Sequence, residues 1–281
     1  MLRLDGLHKR FGTTHAVRGL SFAAERGEVL GFLGPNGAGK STTIGMIAGA
    51  IRPDAGRVDI DGGGPDQPAA RARLGVAPQS LALYDELSAR ENLRFFASLY
   101  GLSRAAARAR ADLLLQRVEL ATRADDRVAG FSGGMKRRLN LAAALVHDPQ
   151  IVLLDEPTAG VDPQSRNQIL GLVQALAAEG KTVVYCTHYM EEAQRLCARV
   201  AIVDHGALLQ LDTVDALIAR HGGRSIVEVR RGDADTRVET DDPVREVAAQ
   251  LAAGGVTQLR IDRPSLESVF LNLTGRSLRD P

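Results

Sequence analysis

Short apolar runs alternate along this chain with longer stretches in which apolar residues return at helical spacing. The runs Glu28–Leu33, Ile151–Leu154 and Lys181–Cys186 are dense in apolar residues, as strands buried on both faces of a parallel sheet are. Leu74–Pro78 and Val200–Val203 read the same way, and Asp204-His205-Gly206 turns the latter into Ala207–Leu211. Helical stretches lie between: Thr42–Ala50, ended by Arg52-Pro53-Asp54-Ala55-Gly56, then Lys136–Val146, ended by His147-Asp148-Pro149, and Gln164–Ala178. Such alternation predicts an α/β fold.

Leu2–Leu7 and Ala16–Ala24 alternate partly and read as strands joined through Gly12-Thr13-Thr14, with a further strand at Arg57–Asp61. From Tyr84 to about Leu120 the chain turns helical, Ser88 capping one helix through Tyr100 and Ser103 another through Val118. The arginines of this insert fit a solvated face or a docking site for a partner. Beyond His221-Gly222-Gly223 the pattern becomes smaller and more polar. A strand near Ile226–Val229, a helix near Val244–Ala253, a strand near Thr257–Ile261 and a last helix from Pro264 to Leu273, ended by Gly275, predict an α+β appendage starting near residue 220.

The chemistry concentrates where apolar runs end. Gly34-Pro35-Asn36-Gly37-Ala38-Gly39-Lys40-Ser41-Thr42 follows the first buried strand and opens a helix, the context a P-loop requires. Its glycines let backbone N–H groups turn toward an anion, and the helix aims its positive end at the same place. Lys40 would reach the β- and γ-phosphates of a nucleotide, and the Ser41 hydroxyl would ligate Mg²⁺. Ile151–Leu154 runs into Asp155 and Glu156, two carboxylates at the strand end where α/β sheets bind ligands. Side chains alternate along a strand, so one acid can face Mg²⁺ and the other an attacking water.

Weaker signals surround these. Gln79 follows the strand Leu74–Pro78, and Thr187-His188 ends the strand Lys181–Cys186 in the same layer as Asp155. His188 is there either a surface residue or a γ-phosphate contact. Ser132-Gly133-Gly134 opens a helix and is either a second phosphate seat or ordinary linker chemistry. Phe11 is either a minor core aromatic, which periodicity favours, or an exposed ring on which adenine stacks.

Composition narrows the classes. With 281 residues the chain can bury a full core, and its net charge of +1 lacks the basic excess of a nucleic-acid binder. No apolar run reaches the roughly 18 residues of a membrane span, and the first residues lack the build of a signal peptide, so the chain is expected in the cytosol. Cys186 and Cys197 fit no metal spacing and read as packing residues.

The P-loop, Gln79, Ser132-Gly133-Gly134, Asp155-Glu156, Asp162 and His188 together make the chain resemble the nucleotide-binding subunit of an ATP-binding cassette transporter. The resemblance covers about residues 1–220. It implies a P-loop NTPase cassette with a mixed sheet core, an antiparallel β subdomain and a helical insert over about 84–130, followed by a small α+β domain over 221–281. It further implies ATP and Mg²⁺ as cofactors. Phe11 would stack on adenine, Gly34 to Thr42 would cradle the phosphates, and Ser41, Gln79 and Asp155 would surround Mg²⁺ directly or through water. Glu156 would be the general base, His188 the γ-phosphate sensor, and Asp162 would lie at a dimer seam, where Ser132, Gly133 and Gly134 contact the ATP of a second cassette. The signature reads Phe-Ser-Gly-Gly-Met where the family has Leu-Ser-Gly-Gly-Gln, so Met135 implies an altered rate or affinity.

Tyr84–Leu93 and Pro264–Leu271 look most like ATPase subunits of bacterial drug and antibiotic exporters. That narrower resemblance implies a separate membrane permease docking near residues 84–99, on the inner face of the cell membrane. A cassette protein acting on nucleic acid or ribosomes is the alternative; such proteins carry fused cassettes or long coiled-coil insertions, and this chain shows neither.

Overall fold

The structure, a computed structural model, describes residues 1–275. A hairpin of β1 (Leu2–Phe11) and β2 (Thr14–Ala24) leads to β3 (Val29–Leu33), the P-loop and α1 (Lys40–Ile47). Next come β4 (Ala55–Ile60), the single-turn α2 (Pro68–Arg71) and β5 (Leu74–Ala77). The helical insert comprises α3 (Ala89–Leu99) and α4 (Arg104–Arg117), with 3₁₀ turns at Ala121–Arg123 and Val128–Gly130 before α5 (Gly133–Ala144). Then follow β6 (Ile151–Asp155), α6 (Pro163–Ala178), β7 (Thr182–Thr187), α7 (Met190–Leu196), β8 (Arg199–Asp204) and β9 (Ala207–Thr213). The remainder is α8 (Val214–His221), β10 (Ser225–Arg231), β11 (Ala234–Thr240), α9 (Pro243–Ala252), β12 (Gln258–Asp262) and α10 (Leu266–Thr274).

Two units divide the chain between Leu211 and Asp212, ahead of the boundary expected near 220. The shift has a local cause: α8 packs with α10, whose Ser268 hydroxyl donates to the Gly222 carbonyl at 2.8 Å and whose Asn272 amide donates to the His221 carbonyl at 2.9 Å. In this second unit the antiparallel sheet runs β11-β10-β12, with Val227 and Val229 buried and α9 packed against β10.

The first unit holds two sheets. One is antiparallel, ordered β2-β1-β4; the other has six strands, ordered β5-β6-β7-β3-β8-β9. In the larger sheet β5, β6, β7, β3 and β8 run parallel, with Leu33 beside both Thr187 and Ile202, Asp155 beside Cys186 and Ala77 beside Leu154. Every residue of β3, β6 and β7 is buried, which is why these strands read as continuous apolar runs rather than alternating ones. The β8–β9 hairpin turns at His205 and Gly206, both at positive φ (47° and 78°), and so makes the sheet mixed. One apolar core joins the two sheets: Leu2, Leu4, Phe22 and Ile60 of the antiparallel sheet share it with Phe32, Leu153 and Val184, and α1 adds Ile44 and Ile47.

Caps set the helix starts. Ser88 and Glu91 form a reciprocal capping box at α3, the Ser88 side chain accepting from the Glu91 N–H at 3.2 Å and Glu91 accepting from the Ser88 N–H at 2.8 Å. Ser132 accepts from the Met135 N–H and starts α5 at Gly133, earlier than the apolar pattern suggested. Ser265, not Pro264, caps the last helix. Phe11 ends β1 opposite Thr14.

Candidate active site

Parallel register brings the ends of five strands to one edge of the large sheet: the P-loop after β3, Gln79 after β5, Asp155 and Glu156 at β6, Thr187 and His188 at β7, and His205 after β8. The P-loop fits tightly there. A Cβ at Gly34 would lie 2.3 Å from the Val203 carbonyl oxygen, and one at Gly39 2.3 Å from that of Ala16, so both residues must be glycine. Gly39 also sits at φ +94°, immediately before α1. The Lys40 ammonium is 5% exposed and donates to the carbonyls of Gly34 (2.8 Å) and Pro35 (3.0 Å), folding back over the loop.

Glu156 occupies the centre of this edge. One carboxylate oxygen bonds His188 Nδ1 at 3.0 Å and lies 3.7 Å from Lys40 Nζ; the other accepts from Gln79 Nε2 at 3.3 Å. A single buried carboxylate thus meets residues from three other strand ends. Strand alternation does not separate it from Asp155, as the sequence suggested. Glu156 lies just past β6 at φ +49°, its N–H donating to the Cys186 carbonyl at 2.9 Å, so the backbone turn aims the two acids apart. A left-handed conformation costs a non-glycine residue roughly 1–2 kcal/mol, which the fixed carboxylate contacts must offset.

Asp155 is buried, and one of its oxygens has no hydrogen-bond partner. Burial raises its pKa above 3.8, and the hydrogen bond from the Ser41 side chain opposes that rise. Arg137 of α5 donates to the Gln79 carbonyl; burial lowers its pKa, against the charges of Glu156 and Asp155. Sequence reasoning missed Arg137. The basic triplet Lys136-Arg137-Arg138 directly after the glycine pair was the available signal.

A cavity of about 560 Å³ opens over these groups, lined by Asn36, Gly37, Gly39 to Thr42, Gln79 and Glu156. Thr13 to Ala16, Arg18 and His205 line it too, and the sequence pattern did not single them out. They arrive because Arg18 N–H donates to the Gly206 carbonyl at 2.7 Å, fastening the β1–β2 hairpin beside the β8–β9 turn. Phe11 is half exposed at the end of β1, its ring centre 5.5 Å from the Lys9 ammonium.

Ser132, Gly133, Gly134 and Asp162 do not line this cavity. They form a second cluster where α5 and α6 begin side by side. Ser132 caps α5, and Asp162 caps α6 by accepting from the Ser165 N–H at 2.8 Å. That hydrogen bond also lowers the Asp162 pKa. A Cβ on Gly134 would meet the Ser165 hydroxyl at 2.1 Å.

A family model described as "ABC transporter" matches residues 17–159, spanning the P-loop, Gln79, the α5 start and the Asp155-Glu156 pair. The chain belongs to the ABC transporter family. It is 40% identical, over all of both chains, to the linearmycin resistance ATP-binding protein LnrL of Bacillus subtilis. It is 42% identical to the Nod factor export ATP-binding protein I of Bradyrhizobium diazoefficiens, over 98% of this chain and 96% of that one. A solved ATP-binding subunit of an ABC transporter superposes with a TM-score of 0.72 at 32% identity, over 79% of this chain and 93% of that one. A dimeric cassette in a post-hydrolysis state, bound to ADP and Pi, superposes with a TM-score of 0.69 at 28% identity, over 76% of this chain and 98% of that one. This ABC subunit is an ATP-binding cassette and an ATPase. Among the described residues no helix is long and apolar enough to cross a membrane, and no cluster of His, Cys, Asp and Glu could hold a metal unaided.

Proposed function

We propose that this ATPase is the motor subunit of an exporter, in which two cassettes close on two ATP molecules and drive a separate membrane permease. One observation carries the reading: a buried glutamate held jointly by a P-loop lysine, a glutamine and a histidine at the mouth of a phosphate cradle. In the proposed reaction Lys40 leaves its loop carbonyls for the β- and γ-phosphates, and Glu156, freed of that neighbour, accepts a proton from the attacking water. His188 holds the glutamate oxygen at the γ-phosphate, and Phe11 receives the adenine. The unpaired Asp155 oxygen beside Ser41 suits Mg²⁺, which takes one or two protein oxygens plus phosphate, and Gln79 would join through water. The ion would neutralise charge developing on the phosphates.

Ser132, Gly133, Gly134 and Asp162 are assigned to the ATP of the facing subunit. For the permease we assign the insert around residues 84–99, where exposed Tyr84 and Phe95 stack edge-on at 4.9 Å. The subunit would then lie on the cytoplasmic face of the membrane. Its relatives are named for linearmycin resistance and Nod factor export, which favours an antibiotic or lipid-like cargo.

Glu156→Gln tests the core of the proposal. It should retain ATP binding, lose turnover by about 10²-fold or more and accumulate an ATP-dependent dimer on gel filtration, while Lys40→Ala loses binding itself. Wild-type hydrolysis by Glu156→Gln would overturn the assignment of the base. Copurification with a membrane protein tests the partner.

A further inference from the structure

Behind the active edge lies a second buried carboxylate that the proposed hydrolysis does not use. Glu192, on α7, is 4% exposed. Its Oε2 accepts from the Thr158 hydroxyl at 2.8 Å, from the Tyr185 hydroxyl at 2.8 Å and from the Thr187 hydroxyl at 3.5 Å. Its Oε1 lies 3.1 Å from Nε of Arg166. Thr158, Tyr185 and Thr187 are all buried. Burial, followed by the Glu192 charge, pushes the Tyr185 pKa up, so the phenol stays a neutral donor.

The partners come from the segments that the site must coordinate. Thr158 lies between Glu156 and Asp162 in the link from β6 to α6. Arg166 stands one turn into α6, its N–H bonded to the Asp162 carbonyl at 2.9 Å. Thr187 immediately precedes His188, and its hydroxyl accepts from the Tyr189 N–H at 2.9 Å, bracketing His188 on both sides. The Arg166 guanidinium covers the Tyr189 ring at 4.8 Å. A buried carboxylate that accepts from three hydroxyls and pairs in charge with the Arg166 guanidinium holds these segments in one register, because each lost hydroxyl partner would leave a buried polar group unsatisfied.

We propose that Glu192 is a positioning residue that locks the His188 loop to the Glu156–Asp162 segment, so that the γ-phosphate contact and the dimer seam move as one body. This rests on the roles assigned above to His188 and Asp162. Glu192→Gln removes the charge at nearly constant volume and sets an amide against the Arg166 or hydroxyl donors. Thr158 and His188 then lose their common anchor, while the P-loop, which Glu192 does not touch, keeps its shape.

The test is a double-mutant cycle on the full chain, read as steady-state kcat and KM for ATP. Glu192→Gln should lower kcat about tenfold while KM moves less than about twofold, and it should cost about tenfold less in a His188→Ala background, because the residue it positions is already gone. Tyr185→Phe, which deletes one donor to the same oxygen, should give the same pattern at a few-fold scale and serves if Glu192→Gln does not fold. Equal kcat losses in both backgrounds, a KM rise matching the kcat loss, or unchanged kinetics in both variants would overturn the positioning role and leave the assignment of His188 standing. Wild-type turnover by His188→Ala alone would instead remove the underlying reading and this inference with it.

Discussion

Two glycines of the P-loop separate backbone conformation from close packing. Gly37 and Gly39 both adopt positive φ, 80° and 94°. Around Gly37 an added Cβ would meet nothing within 4 Å, whereas at Gly39 it would stand 2.3 Å from the Ala16 carbonyl oxygen and 3.4 Å from the Val17 side chain. Alanine at either position carries the left-handed penalty, about 1–2 kcal/mol. Each also gains about 0.4–1 kcal/mol from a less flexible unfolded chain, a term that cancels between the two. Only Gly39→Ala must push a backbone carbonyl aside, and no rotamer change relieves it; overpacking of this kind costs about 1–3 kcal/mol more. For a unit of this length each kcal/mol moves Tm by about 2–4 °C, so Gly39→Ala should melt about 2–12 °C below Gly37→Ala. The assay is thermal unfolding of the nucleotide-free protein, which keeps phosphate contacts out of the comparison. Ala16 lines the cavity beside the P-loop, where ATP is proposed to bind, so Gly39→Ala should also bind ATP more weakly. Equal melting of the two variants would show that the Ala16 contact yields freely and that the cradle is not set by packing against β2.

Other outcomes follow from the same geometry. Phe11→Ala should weaken ATP binding about 2- to 10-fold, the loss of a stacking contact of about 0.5–1.5 kcal/mol, and Phe11→Tyr should retain it; equilibrium titration with ATP decides. The raised pKa of buried Asp155 gives a signed pH effect. Its contribution to nucleotide-free stability is greatest below the unfolded value near 3.8 and declines as pH rises to the folded pKa, because ionising it inside the protein is costly. Mg²⁺ needs the ionised form, so the extra thermal shift from Mg²⁺ with ATP over ATP in chelator should grow across that same window, and Asp155→Asn should abolish the growth. Gly134→Ala should lower Tm through its contact with Ser165, and Ser165→Gly should restore it in the double variant, since an alanine Cβ would meet both the Ser165 hydroxyl (2.1 Å) and its Cβ (2.6 Å).

What the sequence disclosed followed the strength of its local signals. Val29–Leu33, Ile151–Asp155 and Thr182–Thr187 are buried on both faces, and that burial wrote uninterrupted apolar runs whose ends carry the chemistry. Ser88, Ser103 and Ser132 marked helix starts because each side chain satisfies a backbone N–H there. The elements missed were short or polar. Pro68–Arg71 is a single turn, Met190–Leu196 buries only one face, and β11 (Ala234–Thr240) is an edge strand with no buried residue and so no hydrophobic alternation. In the site, Lys40, Asp155 and Glu156 were legible from motif spacing. His15, Arg18 and His205 were not, because only pairing of the hairpin with the β8–β9 turn brings them to the cavity. The φ of +49° at Glu156 was likewise invisible, since a glutamate carries no sequence mark for a left-handed turn.

The glycine pair at the start of α5 bears on the proposal that a second half of the site stands apart from the cavity. Gly134 has a reason within its own chain: α6 begins so close that its Ser165 and Asp162 side chains occupy the space of a Cβ. Gly133 has none, for the nearest atom to its Cβ position is the Gly160 carbonyl at 3.9 Å, and the residue is exposed. An exposed glycine beside a serine cap leaves the positive end of a twelve-residue helix open to whatever approaches from outside. The cavity beside the P-loop does not include these residues. Under the proposed closure of two cassettes, the facing subunit's γ-phosphate would be the anion that this helix start meets. Intrachain packing fixes where this helix start points; in the proposed dimer the partner would give it something to bind.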